Sequence, residues 1–205
     1  MGRFARELSY WEVQLSYHGY THLAGLDEAG RGPLAGPVVA AAVIFPKGLF
    51  IEGVRDSKQL TPVQREKLSL TIQSQAIDYG IGIVDPEVID RINILQATRL
   101  AMQQALLVLK QPPDFLLIDA LNLPDVAISQ LAIVKGDTLC HSIAAASILA
   151  KVTRDRLMLE YHGVYPQYNF FSHKGYGTAE HLKKLKEFGP CPIHRRSFKG
   201  VKEVC

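Results

Sequence analysis

Residues 25–37, GLDEAGRGPLAGP, constrain this chain more than any other stretch. An apolar run ends there on two adjacent carboxylates, Asp27 and Glu28. Gly30, Gly32 and Gly36 follow at once, with Arg31 between the first two. Successive side chains on a strand point to opposite faces. Asp27 and Glu28 therefore serve one site only where the strand ends and the chain bends, or where one of them lends its backbone carbonyl. Gly30 supplies the bend, because glycine accepts positive φ without steric cost. Carboxylates at such a bend suit a hard cation such as Mg²⁺, which takes oxygen ligands. A surface turn with two solvated acids is the competing reading.

Asp119 and Asp137 share the setting of Asp27. Apolar strands are expected over 22–27, 115–118 and 131–134, and an aspartate stands at or just past the end of each. In open α/β sheets ligands bind beyond strand ends. Three carboxylates converging there repel one another unless a cation neutralises them, which turns separate residues into one candidate divalent-metal site. Each aspartate alone also fits a helix cap or a turn, Asp137 before Thr138 above all.

The remaining pattern places these residues in one mixed sheet flanked by helices, a single α/β domain over 1–205. Phe4, Leu8, Trp11 and Leu15 recur at helical spacing. A second strand is expected over 38–45, apolar throughout and hence buried, as the hairpin partner of the first. Thr61, Pro62 and Gln64 form a capping-box start for a helix to about Gln75. Tyr79, Ile81 and Ile83 alternate with Asp78, Gly80 and Gly82, a strand with one buried face. Asp85-Pro86 opens a short helix, Asn93 caps a longer one to about Lys110, and Pro112-Pro113 stops it. A long helix is expected over 141–161, its Ala144-Ala145-Ala146-Ser147 run allowing close packing, and Thr178 caps a last helix to about Phe188.

Charge is distributed unevenly along the chain. Residues 173–205 carry eight Lys or Arg against three Glu, so the first 172 residues sum to −2 within a total of +3. An acidic body with a basic helical C-terminal lobe suits a metal site beside a polyanion groove, although a basic helix is also what a solvated surface looks like. No apolar run reaches membrane-span length. Cys140, Cys191 and Cys205 form no CxxC pair, and the charged N-terminal residues lack a signal peptide's apolar core. Both observations lead to the expectation of a cytoplasmic protein without a zinc site. GxxxxGK[ST], GxSxG and HExxH are absent, so a phosphate-cradling loop, a serine nucleophile elbow and a zincin helix have no signature here.

Several motifs taken together resemble the ribonuclease HII family. They are DEAGRG from Asp27, Asp56-Ser57-Lys58, Leu117-Ile118-Asp119, Lys135-Gly136-Asp137 and AAASILAKVTRD over 144–155. Lys174-Gly175-Tyr176-Gly177-Thr178 with His181, and His194-Arg195-Arg196-Ser197-Phe198, complete the set. The one departure is Ala120, where the family commonly has glycine.

The resemblance implies a ribonuclease H-like fold and an endonuclease acting on RNA–DNA hybrids and on ribonucleotides embedded in duplex DNA. It implies Asp27, Glu28, Asp119 and Asp137 as catalytic carboxylates holding two Mg²⁺ or Mn²⁺ ions, with cleavage 5′ of the ribonucleotide leaving 3′-OH and 5′-phosphate ends. Gly30, Arg31 and Gly32 would approach the ribose, and its 2′-OH is what separates RNA from DNA. Tyr176 would sit at the RNA–DNA junction. Ser57, Lys58, Arg195 and Arg196 are expected to position phosphates, and His181 to lie on a helix surface. A monomer without membrane attachment is expected. A junction-cutting nuclease of the same fold and a non-enzymatic hybrid-binding module are the alternatives, and the second would not need four acids at strand ends.

Overall fold

The computed structural model describes residues 8–204. Five strands form one sheet in the order β3-β2-β1-β4-β5: β1 Leu23–Ala29, β2 Val38–Ile44, β3 Asp78–Val84, β4 Phe115–Asp119 and β5 Ser129–Ile133. β1 pairs antiparallel with β2, and β2 antiparallel with β3. β4 joins β1 in parallel, and β5 joins β4 in parallel. This is the expected mixed sheet, with its hairpin at the centre.

Helix α1 (Tyr10–Tyr17) lies near the chain start, α2 (Pro62–Gln75) precedes β3, and α3 (Pro86–Leu107) follows it. A short helix α4 (Gly136–Leu139) leads into the long α5 (His141–Val164). α6 (Phe170–His173) and α7 (Ala179–Phe188) lie beyond it. β2 is buried along its whole length. Val38, Ala40, Ala42 and Ile44 pack in the layer that includes Ala97, Ala101 and Met102 of α3. Val39, Ala41 and Val43 pack in the layer that includes Ala144, Ala145 and Ile148 of α5. An unbroken apolar strand is what a helix on each face requires.

Local signals explain some helix ends. Both arms of the Thr61–Gln64 capping box are formed. Asn93 adopts φ 67°, and its Oδ1 accepts from the amides of Leu95 and Gln96, so it caps a new segment inside a kinked α3. Trp11 and Leu15 of α1 pack against Leu117, Ile133, Cys140 and Ile143. Leu8 is buried, and Phe4 falls outside the described residues. Sequence reasoning missed Glu12, whose Oε1 accepts from the amide and hydroxyl of Ser142 and so caps α5 from a distant part of the chain.

β3 differs from the expected pattern. Gly80, Gly82 and Val84 are its buried residues, while Tyr79 and Ile83 are exposed. A β-carbon on Gly80 or Gly82 would overlap the carbonyl oxygen of Ala105 or Ala101. The backbone of α3 lies directly on the strand there, and only glycine allows that approach.

The C-terminal segment is tied to the body through shared packing. Ala35 and Met158 cluster with Tyr168, Phe170, Cys191 and Ile193, and Leu34 with Leu185 and Val201.

Candidate active site

Asp27 lies inside β1, two residues before its end, and Asp119 is the last residue of β4. The parallel register pairs Leu26 with Ile118, so Asp27 and Asp119 stand side by side one step further on. Parallel neighbours lie under 5 Å apart and share a face. Asp27 is buried, and its Oδ1 accepts from the Glu28 amide at 2.7 Å while Ser147 of α5 also hydrogen-bonds to it. Burial raises its pKa well above the usual carboxylate range, and the charges of Glu28 and Asp119 push the same way. Asp119 is raised by burial and by Asp137, and its Oδ1 accepts from the Gly136 amide at 2.7 Å.

Asp137 is not at a strand tip. It lies in α4, four residues after β5, behind a left-handed Lys135 at φ 59°. That turn folds it back to the acidic side, where its Oδ2 meets Lys58 Nζ at 3.2 Å. Burial pulls the Lys58 pKa down, but Asp137 and Asp56 outweigh it and the net shift is upward. Glu28 follows Asp27 on the strand, and Gly30 makes the anticipated bend at φ +97° only after Ala29. Glu28 Oε1 pairs with Arg31 at 3.2 Å, whereas its Oε2 is buried without a partner among the described residues. Its pKa is raised by burial, although Arg31 opposes the shift. Ala120, beside these acids, takes φ +51°.

A second constellation lies next to the acids. The loop between β1 and β2 is held from beneath by two buried arginines. Arg154 of α5 donates to the carbonyls of Ala35, Pro37 and Lys174 at 3.0 Å each. Arg195 donates to the carbonyls of Gly30, Arg31 and Gly36 at 2.6–3.0 Å. Burial lowers their pKa values to about 10 and about 9. Leu34 N also bonds to Gly175 O, which joins this loop to the Lys174–Thr178 turn. Gly32 is exposed, and the ring of Tyr176 beside it is 45% exposed, with the Arg154 guanidinium 6.0 Å from its centroid.

Three expectations are corrected. Arg195 is 0% exposed and its donors are engaged by backbone carbonyls, so it holds the glycine loop and does not face phosphate. Ser57 is buried too, its Oγ 2.8 Å from Ser147 Oγ, which places it behind Asp27. His181 is fully buried between His173 and His194 and is no surface residue. Lys58, Arg31 and Arg196 are exposed as expected, and the Arg196 amide is pinned by Asp90. Sequence reasoning missed Ser147 and Arg154. They are seven residues apart and so share the helix face that carries the buried alanines, a periodicity that marks polar residues there as inward-facing.

Residues 24–201 match the family model for ribonuclease HII. This chain belongs to the ribonuclease HII family. It is 58% identical over 192 residues to the ribonuclease HII of Caldanaerobacter subterraneus subsp. tengcongensis, covering 94% of this chain and 80% of that one. It is 55% identical over 193 residues to that of Geobacter sulfurreducens, covering 94% and 89%. Among solved structures, ribonuclease H2 of Pyrococcus horikoshii superposes with a TM-score of 0.72 at 31% identity, over 89% of this chain and 96% of that one. Ribonuclease HII is a metal-dependent endonuclease that cleaves RNA in RNA–DNA hybrids and at embedded ribonucleotides.

The acidic residues fit a divalent cation. Their donors are all carboxylate oxygens, Glu28 presents one that is buried and unpartnered, and three of the four acids are held above their ordinary pKa. Among the described residues no three Asp, Glu, His or Cys side chains already close on one point. Lys58 and Arg31 instead each neutralise one acid.

Proposed function

We propose that Asp27, Glu28, Asp119 and Asp137 are the catalytic carboxylates of this ribonuclease HII and together hold two Mg²⁺ or Mn²⁺ ions. The observation that carries this is that Asp27 and Asp119 each follow the paired Leu26 and Ile118 on adjacent parallel strands, beside a buried Glu28 oxygen that no described group satisfies. Bound there, the ions would supply positive charge to the phosphate oxygens and lower the pKa of the attacking water. The rest is the work of the chain. Lys58 and Arg31 move from the acids to the substrate phosphates, Ser147 and the Glu28 amide hold the Asp27 carboxylate in its orientation, and Gly136 holds that of Asp119.

Selection of the bond to be cut belongs to the neighbouring loops. The exposed backbone of Arg31 and Gly32, turned outward by the buried Gly30, meets the ribose 2′-OH, and Tyr176 stacks at the RNA–DNA junction. Cleavage then falls 5′ of the ribonucleotide. Water adds to phosphorus as the 3′ oxygen of the preceding nucleotide leaves, giving 3′-OH and 5′-phosphate ends. Arg196 and the lysines of residues 173–205 supply phosphate contacts that fix position without reading sequence. The protein acts as a monomer, as one catalytic domain whose C-terminal part binds substrate, in the cytoplasm; no described helix is long and apolar enough to cross a membrane.

The test uses three labelled substrates, each with Mg²⁺ or with EDTA: a duplex with one embedded ribonucleotide, the all-DNA duplex and a four-way junction. Metal-dependent cutting of the first alone, with a 5′-phosphate on the ribonucleotide, is the expected result. Cutting of the junction, or binding without cutting, would overturn the assignment.

A further inference from the structure

Three buried histidines lie behind Tyr176, and the reaction makes no direct use of them. Their protonation follows from their partners. The Cys191 amide donates to His194 Nδ1 at 3.0 Å, so that nitrogen is bare and the proton is on Nε2. His181 Nδ1 lies 2.9 Å from the Tyr176 carbonyl, which can only accept, so there the proton is on Nδ1 and Nε2 is bare. The two Nε2 atoms are 3.0 Å apart, one with a proton and one without. Donation therefore runs one way, from the Cys191 amide through His194 and His181 to the Tyr176 carbonyl. Burial lowers the pKa of both rings to about 4, which keeps them neutral at neutral pH.

His173 completes the arrangement. Its ring stacks on His181 with centroids 4.4 Å apart, its Nδ1 accepts from the Gly175 amide, and its backbone carbonyl accepts from the Tyr176 amide. Arg154 takes the Lys174 carbonyl and Leu34 the Gly175 carbonyl. The backbone from Lys174 to Tyr176 is thus tied at successive groups while the Tyr176 ring remains half-exposed.

We propose that His181 and His194 are positioning residues for ribonucleotide recognition: their one-way imidazole relay locks the Tyr176 peptide and presets the ring beside Gly32. This rests on the reading of Tyr176 as the junction-contacting residue. A ring already in place loses less freedom on binding than one that must be ordered, so the relay acts through Tyr176 and not on the carboxylates.

The experiment is a double-mutant cycle. His181→Leu removes the donor to Tyr176 at similar volume, and His181→Asn keeps an N–H near the same place. Each is made in the wild type and in Tyr176→Ala, and kcat/KM is measured on a single embedded ribonucleotide and on a long hybrid. His181→Leu is expected to lose about tenfold more on the first substrate than on the second. His181→Asn should recover most of that difference, and His181→Leu should add less than twofold to it in the Tyr176→Ala background. Equal loss on both substrates, no loss, or additivity with Tyr176→Ala would overturn the proposal. If His181→Leu does not fold, His194→Leu and His194→Gln carry the same comparison. If Tyr176→Ala itself shows no preference between substrates, the junction reading fails, a result separate from any outcome at His181.

Discussion

Among the described residues beyond its chain neighbours, a methyl group placed on Gly32 would meet a single atom within 4 Å, the Cε1 of Tyr176 at 3.8 Å. Gly30, two residues earlier, is different. It takes φ +97°, and a β-carbon there would overlap the Arg154 side chain. No described residue requires glycine at position 32, where the backbone is exposed beside an exposed aromatic ring. The two glycines of one short motif therefore differ: the fold requires the one at position 30 and leaves the one at position 32 free.

Substituting them should separate those demands. Gly30→Ala forces a residue with a β-carbon into left-handed backbone, a cost of about 1–2 kcal/mol, and also displaces a buried guanidinium. A clear fall in Tm is expected. Gly32→Ala should leave Tm within about 2 °C of wild type yet lower kcat/KM at an embedded ribonucleotide by about tenfold or more. Thermal melts and cleavage assays on both variants decide it. Full activity in Gly32→Ala would remove the proposed contact between this backbone and the sugar.

Ala120 occupies left-handed backbone at φ +51° next to Asp119, and its amide bonds to Ile133 O at 3.1 Å. The strain is relieved in Ala120→Gly, partly offset by the greater freedom of glycine in the unfolded chain. The net gain should be up to about 1 kcal/mol, or about 2–4 °C in Tm, with cleavage unchanged because the carboxylate and its Gly136 partner stay in place. A drop in Tm would show that the Ala120 methyl packs better than its backbone angle suggests.

Lys58 and Arg195 look alike in sequence and should behave in opposite ways. The Lys58 side chain is 80% exposed, and each phosphate it neutralises adds about one unit to the salt dependence of binding. Lys58→Ala and Arg196→Ala should each flatten that slope by about one. Arg195→Ala leaves three carbonyls without their donor, so it should lower Tm sharply while the slope of the folded fraction is unchanged. Binding titrations at several salt concentrations, beside melts, distinguish the two roles.

This contrast shows where the sequence was legible and where it was not. The strand-end positions of Asp27 and Asp119 were readable because an apolar run closing on an acid is a local pattern, and the hairpin and caps were readable for the same reason. Asp137 lies in a short helix and not at a strand tip, since the left-handed Lys135 that turns it towards Asp119 leaves no mark in composition. Arg195, Ser57 and His181 were misread because their partners are far along the chain: Gly30, Ser147 and His194. A buried polar residue and a surface one have the same letter. β3 failed likewise, for its apolar alternation points outward and α3 lies on its glycines.

Asp27→Asn tests the electrostatic tension of the metal-free site. Asp27 has a folded pKa above its unfolded value, through burial and then through Glu28 and Asp119. Its contribution to stability is therefore fully present below about pH 4 and is lost as pH rises through the folded value, so the metal-free fold is increasingly penalised as the pH rises. Asparagine removes that charge and keeps an oxygen for the Glu28 amide. In EDTA at pH 7–8 the variant should melt higher than wild type, and the difference should shrink towards zero as the pH is lowered to about 4. His181 and His194 act in the opposite sense, their stabilising effect fading as pH falls from about 6.5 towards 4, but both proteins contain them and the difference cancels their effect. Mg²⁺ should raise the Tm of wild type more than that of the variant, and the variant should not cleave. If Asp27→Asn melted lower than wild type in EDTA at neutral pH, the carboxylate would be stabilised by its surroundings, and the case for a cation at this site would lose its electrostatic basis.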